Sequence, residues 1–294
     1  MNIGMNRIRK WLNTVLNIVF WGICSCVILF LLQLFCFASF KIPSDSMEPT
    51  LLDGDYILVN KLVHGARLFD VSAALRNEEV PIYRLPGFGD LKRNDVIVFN
   101  FPYRKEWSCI RMDIMRFFVK RCIALPGDTL EIRNGLYAIR GCNEILGNRE
   151  AQIELADLEN PEEWGIVTKT FPNDKHLDWN IREFGPLPIP KRGQSVLLND
   201  TSYLLYRQLI GWEQKKKLRL KNGNVLLGDS VVHQYRFMKN YYFVSGDKMA
   251  NSKDSRYWGM LPEEYIVGKV TRIWYSKNKN TDKTRWERIM KRIE

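Results

Sequence analysis

A run of thirty residues without a charged side chain separates Lys10 from Lys41. As a helix, this run would be about 45 Å long, which exceeds the ~30 Å hydrocarbon core of a bilayer. A cleavable signal peptide would have a shorter apolar region that ends at a small-x-small site, and the tripeptide at 37–39 is a poor site of that kind. The sequence therefore predicts an uncleaved transmembrane anchor over residues 11–40.

The residues before the anchor indicate its orientation. Residues 1–10 contain the basic side chains Arg7, Arg9 and Lys10 and no acidic side chain. Because basic residues are retained on the cytoplasmic side, we expect a cytoplasmic N-terminus. No later apolar run is long enough to span, so we predict a single pass through the inner (plasma) membrane. Everything after Lys41 would then lie on the exterior, periplasmic side.

The part of the chain after the anchor is basic. Three of the 44 Lys and Arg residues lie in 1–40, which leaves 41 against 33 acidic residues, a net charge of +8. This charge is typical of a solvated surface, and it would also attract anionic phospholipid headgroups by ~1 kcal/mol per basic group. Nucleic acid is not an expected partner, because no binding motif accompanies the charge.

The pattern after the anchor predicts a mainly β fold. Short β-rich runs occur at 96–99, 117–124, 129–132, 241–244, 265–270 and 273–275, with turn signals at 134–135 and 222–223 and a short helix at 203–212. No strand–helix–strand alternation occurs, which argues against doubly wound folds. We predict a catalytic β-domain over 41–136 and 241–276, with a long excursion at 64–89. An inserted β-rich accessory domain over 137–240 would interrupt it.

The C-terminal tail, residues 277–294, is mainly basic. Trp286, Ile289, Met290 and Ile293 would share one face of a helix. This predicts a basic amphipathic helix that either packs on the domain or lies in the membrane interface.

Three of the six cysteines, Cys109, Cys122 and Cys142, lie outside the anchor. One disulfide among them and three unpaired thiols both remain open. Their spacing does not resemble a metal site, and no metal or cofactor is expected.

Two serines follow the anchor directly. Ser44 and Ser46 are two residues apart, so in an extended segment both side chains would point the same way. One hydroxyl could attack a carbonyl carbon while the other donates to the developing oxyanion. The alternative is that a segment rich in Ser, Asp and Pro is merely a turn.

A serine nucleophile needs a base, and Lys120 is the best candidate. It lies in the apolar run 117–124, where burial would lower its pKa from the ordinary ~10.4. Alternatively, the side chain would extend to solvent along its apolar stem. A histidine base is less favoured, because no histidine lies in a recognisable catalytic context; the three are His64, His176 and His233.

A third polar segment, residues 245–259, lies between strands and aromatic residues. Such a loop is costly to bury unless its groups bond one another. Asp254 and Arg256 could pair, and Ser252 could orient an amine.

At these segments the chain resembles the bacterial type I signal peptidases, membrane-bound Ser/Lys endopeptidases that remove signal peptides from exported proteins. The matching segments follow in family order: PSDSMEPTL at 43–51, KRNDVIVF at 92–99, VKRCIALPGD at 119–128 and GDKMANSKDSRYWG at 246–259. There are departures from the family pattern, with Asp45 where some members have glycine, Asn94 where glycine is usual and Ala250 where a carboxylate is frequent.

The resemblance implies a role for each matching residue. Ser46 would be the nucleophile, Lys120 the general base and Ser44 an oxyanion-hole hydroxyl. Ser252 would orient the lysine, Asp254 and Arg256 would form a supporting ion pair, and Asp247 would be a further structural carboxylate. The pockets for small substrate residues would be lined by Ile42, Pro43, Met47, Leu51, Phe118 and Val119.

The resemblance also implies the reaction, which is cleavage of precursors after small residues of the Ala-x-Ala type through an acyl-enzyme. Signal-peptide-bearing precursors and membrane phospholipid are the expected partners of a monomeric enzyme. A self-cleaving Ser/Lys repressor-type peptidase is an alternative, which the anchor argues against. A catalytically degenerate, membrane-tethered binding protein on the same fold is the alternative from another functional class.

Overall fold

The computed structural model describes residues 2–76, 78–104 and 106–293, with side chains from Arg9 onward. Its α-helices are α1 Asn2–Phe35, α2 Val71–Leu75, α3 Arg149–Asp157, α4 Asp200–Gln214 and α5 Ser255–Trp258. Its strands are β1 Phe37–Lys41, β2 Asp55–Asn60, β3 Arg67–Leu68, β4 Tyr83–Arg84, β5 Val96–Phe101, β6 Asp113–Ala124, β7 Thr129–Arg133, β8 Leu136–Ile139, β9 Phe184–Pro188, β10 Ser195–Leu197, β11 Leu218–Lys221, β12 Asn224–Leu227, β13 Ser230–Val231, β14 Gln234–Arg236, β15 Tyr241–Ser245, β16 Leu261–Pro262 and β17 Ile266–Ser276. The predicted mainly β fold with an N-terminal apolar helix is confirmed.

The apolar run forms one long helix, α1, which ends before the predicted end of the anchor at residue 40. Helix α1 begins at Asn2 and ends at Phe35. Its part from Arg9 to Phe35 is the only stretch among the described residues that is long and apolar enough to cross a membrane. The last residues of the predicted anchor form β1 instead, because Phe37–Lys41 alternates in exposure and pairs in antiparallel register with β2.

Lys61 caps the C-terminal end of α1. The Nζ of Lys61 donates to the carbonyl oxygens of Gln33 and Leu34, at 2.7 and 3.1 Å, and the Lys61 N–H donates to the Cys36 carbonyl. The last carbonyls of a helix have no intrahelical partners, and a cation there also complements the helix dipole. The apolar helix therefore stops where the chain enters the sheet.

The centre of the fold is an antiparallel sheet of seven strands in the order β1-β2-β17-β5-β6-β15-β16. The strands predicted at 96–99, 117–124 and 241–244 are its central members β5, β6 and β15. The two runs at 265–270 and 273–275 form the single strand β17. A large core covers one face with residues such as Ile97, Phe99 and Ile123. A smaller core on Ile57, Val98 and Val270 lies beside β1 and β2.

The predicted boundary between catalytic domain and insert cuts through a structural unit. β7 pairs with β8 across the Asn134–Gly135 turn and with β9, so residues on both sides of position 136 share one sheet. Buried residues of the insert, such as Leu187 and Ile210, belong to the same core as Ile97 of the central sheet. The insert also contains α3 and α4 beside its short strands, so it is mixed rather than β-rich.

The helix predicted for the tail does not form in its described part, residues 277–293, where only the turn Trp286–Arg288 is helical, and of 3₁₀ type. The backbone N–H groups of Met290 and Ile293 instead donate to carbonyls of Ile273 and Thr271 on β17, which holds the tail in an extended path. Ile293 is buried in the smaller core, whereas Trp286 and Met290 are exposed.

Candidate active site

The loop between β1 and β2 carries Ser44 and Ser46. We call residues 43–51 the Ser46 loop. Its apolar residues Met47 and Leu51 are buried in the smaller core with Ile42, and the Leu51 N–H donates to the Met47 carbonyl. The polar residues between the buried Ile42 and Met47 remain at the surface, so that Ser44 is exposed and Ser46 half-buried.

Strand β6 brings Lys120 to this loop. The Lys120 side chain is 4% exposed, and its Nζ lies 2.5 Å from the Ser46 Oγ, in hydrogen-bond contact. Burial lowers the pKa of Lys120 to about 8, because a desolvated ammonium is disfavoured. The carboxylates of Asp254, Asp247 and Asp45 oppose this shift, and the Arg256 guanidinium adds to it. The amine is therefore placed to take a proton from the hydroxyl near neutral pH.

The polar segment after β15 is built around a buried ion pair. Arg256 and Asp254 are fully buried and make two hydrogen bonds of 2.9 Å, so the predicted pairing is confirmed. Burial is the largest single influence on Asp254 and raises its pKa, but the Arg256 guanidinium and the hydrogen bonds to the carboxylate together outweigh burial and lower the carboxyl pKa. Asp254 also accepts from the Gly246 N–H at 3.0 Å and the Ser245 hydroxyl at 3.2 Å. The pair thus fixes both ends of the segment.

Ser252 and Ser46 meet at Gly246. A methyl group on Gly246 would lie 2.3 Å from the Ser252 Oγ and 2.5 Å from the Ser46 carbonyl oxygen, so only glycine fits. The Ser252 Oγ is buried and makes no hydrogen bond of good geometry within the described residues, although it is close enough to Asp254 to favour the charged carboxylate. Ser252 therefore lies at the site without a bond to Lys120.

Asp247 has a different partner, Arg121. Two bonds of 2.7 Å join the Arg121 guanidinium to the Asp247 carboxylate, which is 1% exposed. The same guanidinium donates to the Thr50 Oγ1 at 3.1 Å and to the Asn94 carbonyl. Arg121 was not among the predicted site residues. Its position next to Lys120 in the sequence was a signal, since a charge on an otherwise apolar strand needs a buried partner.

The departure at Asn94 is accommodated by the fold. Asn94 has a φ of 69°, a left-handed conformation that asparagine tolerates better than most residues. Its side chain donates to the Ile145 carbonyl and accepts from the Gly147 N–H, both at 2.8 Å. The turn before β5 is thereby tied to the insert, although glycine is absent.

A cleft of about 570 Å³ opens beside Ser46 and Lys120. Of the six predicted pocket residues, Ile42, Pro43, Met47, Phe118 and Val119 line it. Leu51 does not; it is fully buried in the smaller core beneath the loop. The cleft also has six lining residues that were not predicted: Phe40, Lys41, Asp45, Phe117, Asn251 and Lys253. The cleft is thus lined by apolar residues together with charged and polar ones, and it is bordered by the Ser46 hydroxyl and the buried Lys120 amine.

The described part of the chain shows neither a histidine base at this cleft nor a metal centre. No histidine lines the cleft there, and burial holds the pKa of His64 down to about 3, beside Arg84 and Arg67. No group of His, Cys, Asp or Glu side chains is arranged to hold a metal among these residues. All six cysteines are free thiols.

Comparison with known proteins identifies the family. Residues 14–275 match the family model described as "Signal peptidase, peptidase S26". Among the similar proteins are signal peptidase I of Buchnera aphidicola subsp. Schizaphis graminum, 28% identical over 86% of this chain and 72% of that protein, and of Pseudomonas aeruginosa, 29% identical over 85% and 68%. Signal peptidase I of Helicobacter pylori is 25% identical over 97% of this chain and 95% of its own length.

A solved signal peptidase I from Enterococcus faecalis V583 is 19% identical, with a TM-score of 0.30, over 62% of this chain and 97% of that one. The family model spans most of the chain, including all four motifs found in the sequence. The chain belongs to the signal peptidase (peptidase S26) family.

Proposed function

We propose that this protein is a membrane-anchored serine endopeptidase that removes signal peptides with a Ser46–Lys120 dyad. The observation that carries the proposal is the 2.5 Å contact between the Ser46 Oγ and the Nζ of a buried lysine whose pKa is lowered to about 8. A lysine is a general base only when neutral, and burial raises the neutral fraction at a given pH by lowering the pKa of the amine.

The reaction follows from this contact. Neutral Lys120 takes the hydroxyl proton as the Ser46 Oγ attacks the scissile carbonyl carbon, and the protonated amine then gives that proton to the leaving amine nitrogen. The resulting ester between Ser46 and the signal peptide is hydrolysed by a water that Lys120 deprotonates. Ser44 lies at the cleft beside Ser46, where its hydroxyl and the Ser46 N–H would donate to the oxyanion.

The cleft suggests the residues on the signal-peptide side of the cut. Ile42, Met47, Phe118 and Val119 leave an apolar slot that would accept small side chains, as in an Ala-x-Ala sequence. Helix α1 would hold the enzyme in the plasma membrane with residues after Lys41 on the exterior, where precursor and phospholipid meet the cleft. Sharing one membrane raises the effective concentration of substrate and enzyme.

The direct test is the Ser46→Ala variant, purified in detergent and incubated with a precursor whose leader ends in Ala-x-Ala. We expect no mature product by mass spectrometry, because the alanine side chain cannot form the acyl-enzyme. Ser195→Ala, which changes an exposed serine on β10, is the matched control and should process normally. Processing by Ser46→Ala would contradict the dyad, and absence of processing by the wild-type chain would favour the binding-protein alternative.

The pH dependence of kcat/KM should report the protonation of Lys120. Since the neutral amine is the active form and its pKa is about 8, activity should fall as the pH drops through 8 and level off above about pH 9. At pH 7, roughly a tenth of the plateau should remain. A profile that is flat between pH 6 and pH 9, measured with a peptide lacking titratable groups, would contradict a lysine base.

A further inference from the structure

We propose that Asp45 and Lys248 are positioning residues that set the distance between Ser46 and Lys120; this inference rests on the proposed function. The Lys248 Nζ lies 2.5 Å from the Asp45 Oδ2 and 3.1 Å from the Glu48 Oε2. Asn251 donates to both Asp45 carboxylate oxygens at 3.0 and 3.1 Å. The residues flanking Ser46 are therefore held from outside the loop.

These contacts close a ring through the dyad. Three pairs of consecutive residues, 45–46, 120–121 and 247–248, are joined by three side-chain contacts. Lys120 meets Ser46, Arg121 meets Asp247, and Lys248 meets Asp45. Because each pair is covalently linked, a displacement of the Ser46 loop away from Lys120 that exceeds what side-chain rotation can absorb must break or stretch one of the other two contacts. The Lys248 N–H adds a direct tie to the Ser46 carbonyl at 3.1 Å.

The two fixed contacts in the ring differ in burial. Arg121 and Asp247 are 10% and 1% exposed, so this pair is part of the folded core. Lys248 and Asp45 are 40% and 35% exposed. An ion pair as exposed as this one contributes little to folding. Its other consequence is positional, since it holds a polar loop whose serine must stay within hydrogen-bond reach of the amine.

The charges of the pair favour its closed state. Hydrogen bonding to Lys248 lowers the pKa of Asp45, and hydrogen bonding to Asp45 and Glu48 raises the pKa of Lys248. Both groups are thus charged across the pH range in which Lys120 loses its proton. Lys248, unlike Asp45, is not among the described residues that line the cleft, so its substitution tests position with little effect on substrate contacts.

The experiment measures kcat and KM for a signal-peptide substrate with Lys248→Met, Asp45→Asn and the double variant. A nucleophile displaced by about 1 Å can cost on the order of a hundredfold in rate. We expect each single variant to lower kcat about 10-fold to 100-fold with KM within about twofold of wild type. The double variant should be no worse than the poorer single variant, because both changes break the same link. Lys248→Arg should recover most of kcat.

Three controls make the outcome decisive. Asp229→Asn breaks an exposed ion pair with Arg219 in the insert and should leave kcat unchanged. Melting temperatures should match wild type; if Lys248→Met unfolds, Lys248→Gln replaces it. Ser46→Ala separates the hypotheses, because activity in that variant would overturn the proposed function itself.

A purely electrostatic role predicts a different result. Loss of the Asp45 charge would lower the Lys120 pKa, and loss of the Lys248 charge would raise it. The pH at which kcat falls on the acid side would therefore shift down in Asp45→Asn and up in Lys248→Met, while the maximal kcat at high pH would stay unchanged. That pattern, or wild-type kcat in both single variants while Ser46→Ala is inactive, would overturn the positioning role. Equal loss of plateau kcat in both single variants supports it.

Discussion

Lys120→Met is expected to lose about a thousandfold or more in precursor cleavage while the protein keeps its fold. The methionine side chain fills the space of the lysine stem but cannot accept the Ser46 proton. Because the amine is 4% exposed and desolvation lowers its pKa to about 8, replacing it with an apolar group removes a cost of burial. The free energy of unfolding should therefore stay the same or rise. Single-turnover cleavage and chemical denaturation, both in detergent, measure the two effects.

Lys120→Arg tests whether the side chain at position 120 acts as a neutral base or as a positive charge. A guanidinium keeps the positive charge at every accessible pH but cannot act as a base, so this variant should also be inactive and remain so at pH 10. Recovery of activity in Lys120→Arg would mean that the cation, and not the neutral amine, assists Ser46. Lys253→Arg is a useful comparison, because Lys253 lines the cleft but is exposed and has no base role in the proposal.

Ser46 and Lys120, the two residues of the proposed dyad, were assigned from their local setting together with the family resemblance. Ser46 lies in a polar segment directly after an apolar run, and Lys120 interrupts a β-rich run whose neighbours Cys122 and Ile123 are fully buried. Strand periodicity and the cost of burying an amine mark that lysine as unusual, but they leave extension of its side chain to solvent open, so the family motif was needed to assign it as the base. Asp254 and Arg256 were also predicted as a pair, because their opposite charges lie two residues apart in a polar segment. In the structure, the helical turn that begins at Ser255 brings the two side chains together.

What the sequence did not predict depends on partners that are distant along the chain. Arg121 and Asp247 are separated by 126 positions, and Lys248 and Asp45 by 203. Nothing local indicates which charges meet. The apolar composition of residues 37–40 favoured their assignment to the transmembrane anchor. In the structure these residues are a β-strand instead, because they pair with β2 at the edge of the sheet. In the tail, a helical spacing of apolar residues was overridden by strand-like hydrogen bonds to β17 and by the burial of Arg288 against Asp55.

Arg256→Met is expected to destabilise the fold by ~3–5 kcal/mol, because it leaves the Asp254 carboxylate buried without its countercharge. Both side chains are fully buried, and Asp254 also holds the Gly246 N–H, so the strain reaches the segment that packs on the Ser46 carbonyl. Asp254→Asn should also destabilise. The double variant should cost less than the sum of the two single variants, because neither charge is then left alone.

Chemical denaturation of the detergent-solubilised chain gives the free energy of unfolding for each variant. The matched comparison is the Arg219–Asp229 pair, which is exposed at both ends, and Arg219→Met there should change stability by less than ~1 kcal/mol. A loss of stability in Arg256→Met no larger than that in Arg219→Met would mean that Asp254 is neutral in the folded protein. A neutral Asp254 could not act as a carboxylate that accepts from the Gly246 N–H and so holds residues 245–259 in place. Since Gly246 and Ser252 meet at that loop, Arg256→Met should also lower cleavage well below its unfolding temperature, whereas Arg219→Met should leave cleavage unchanged.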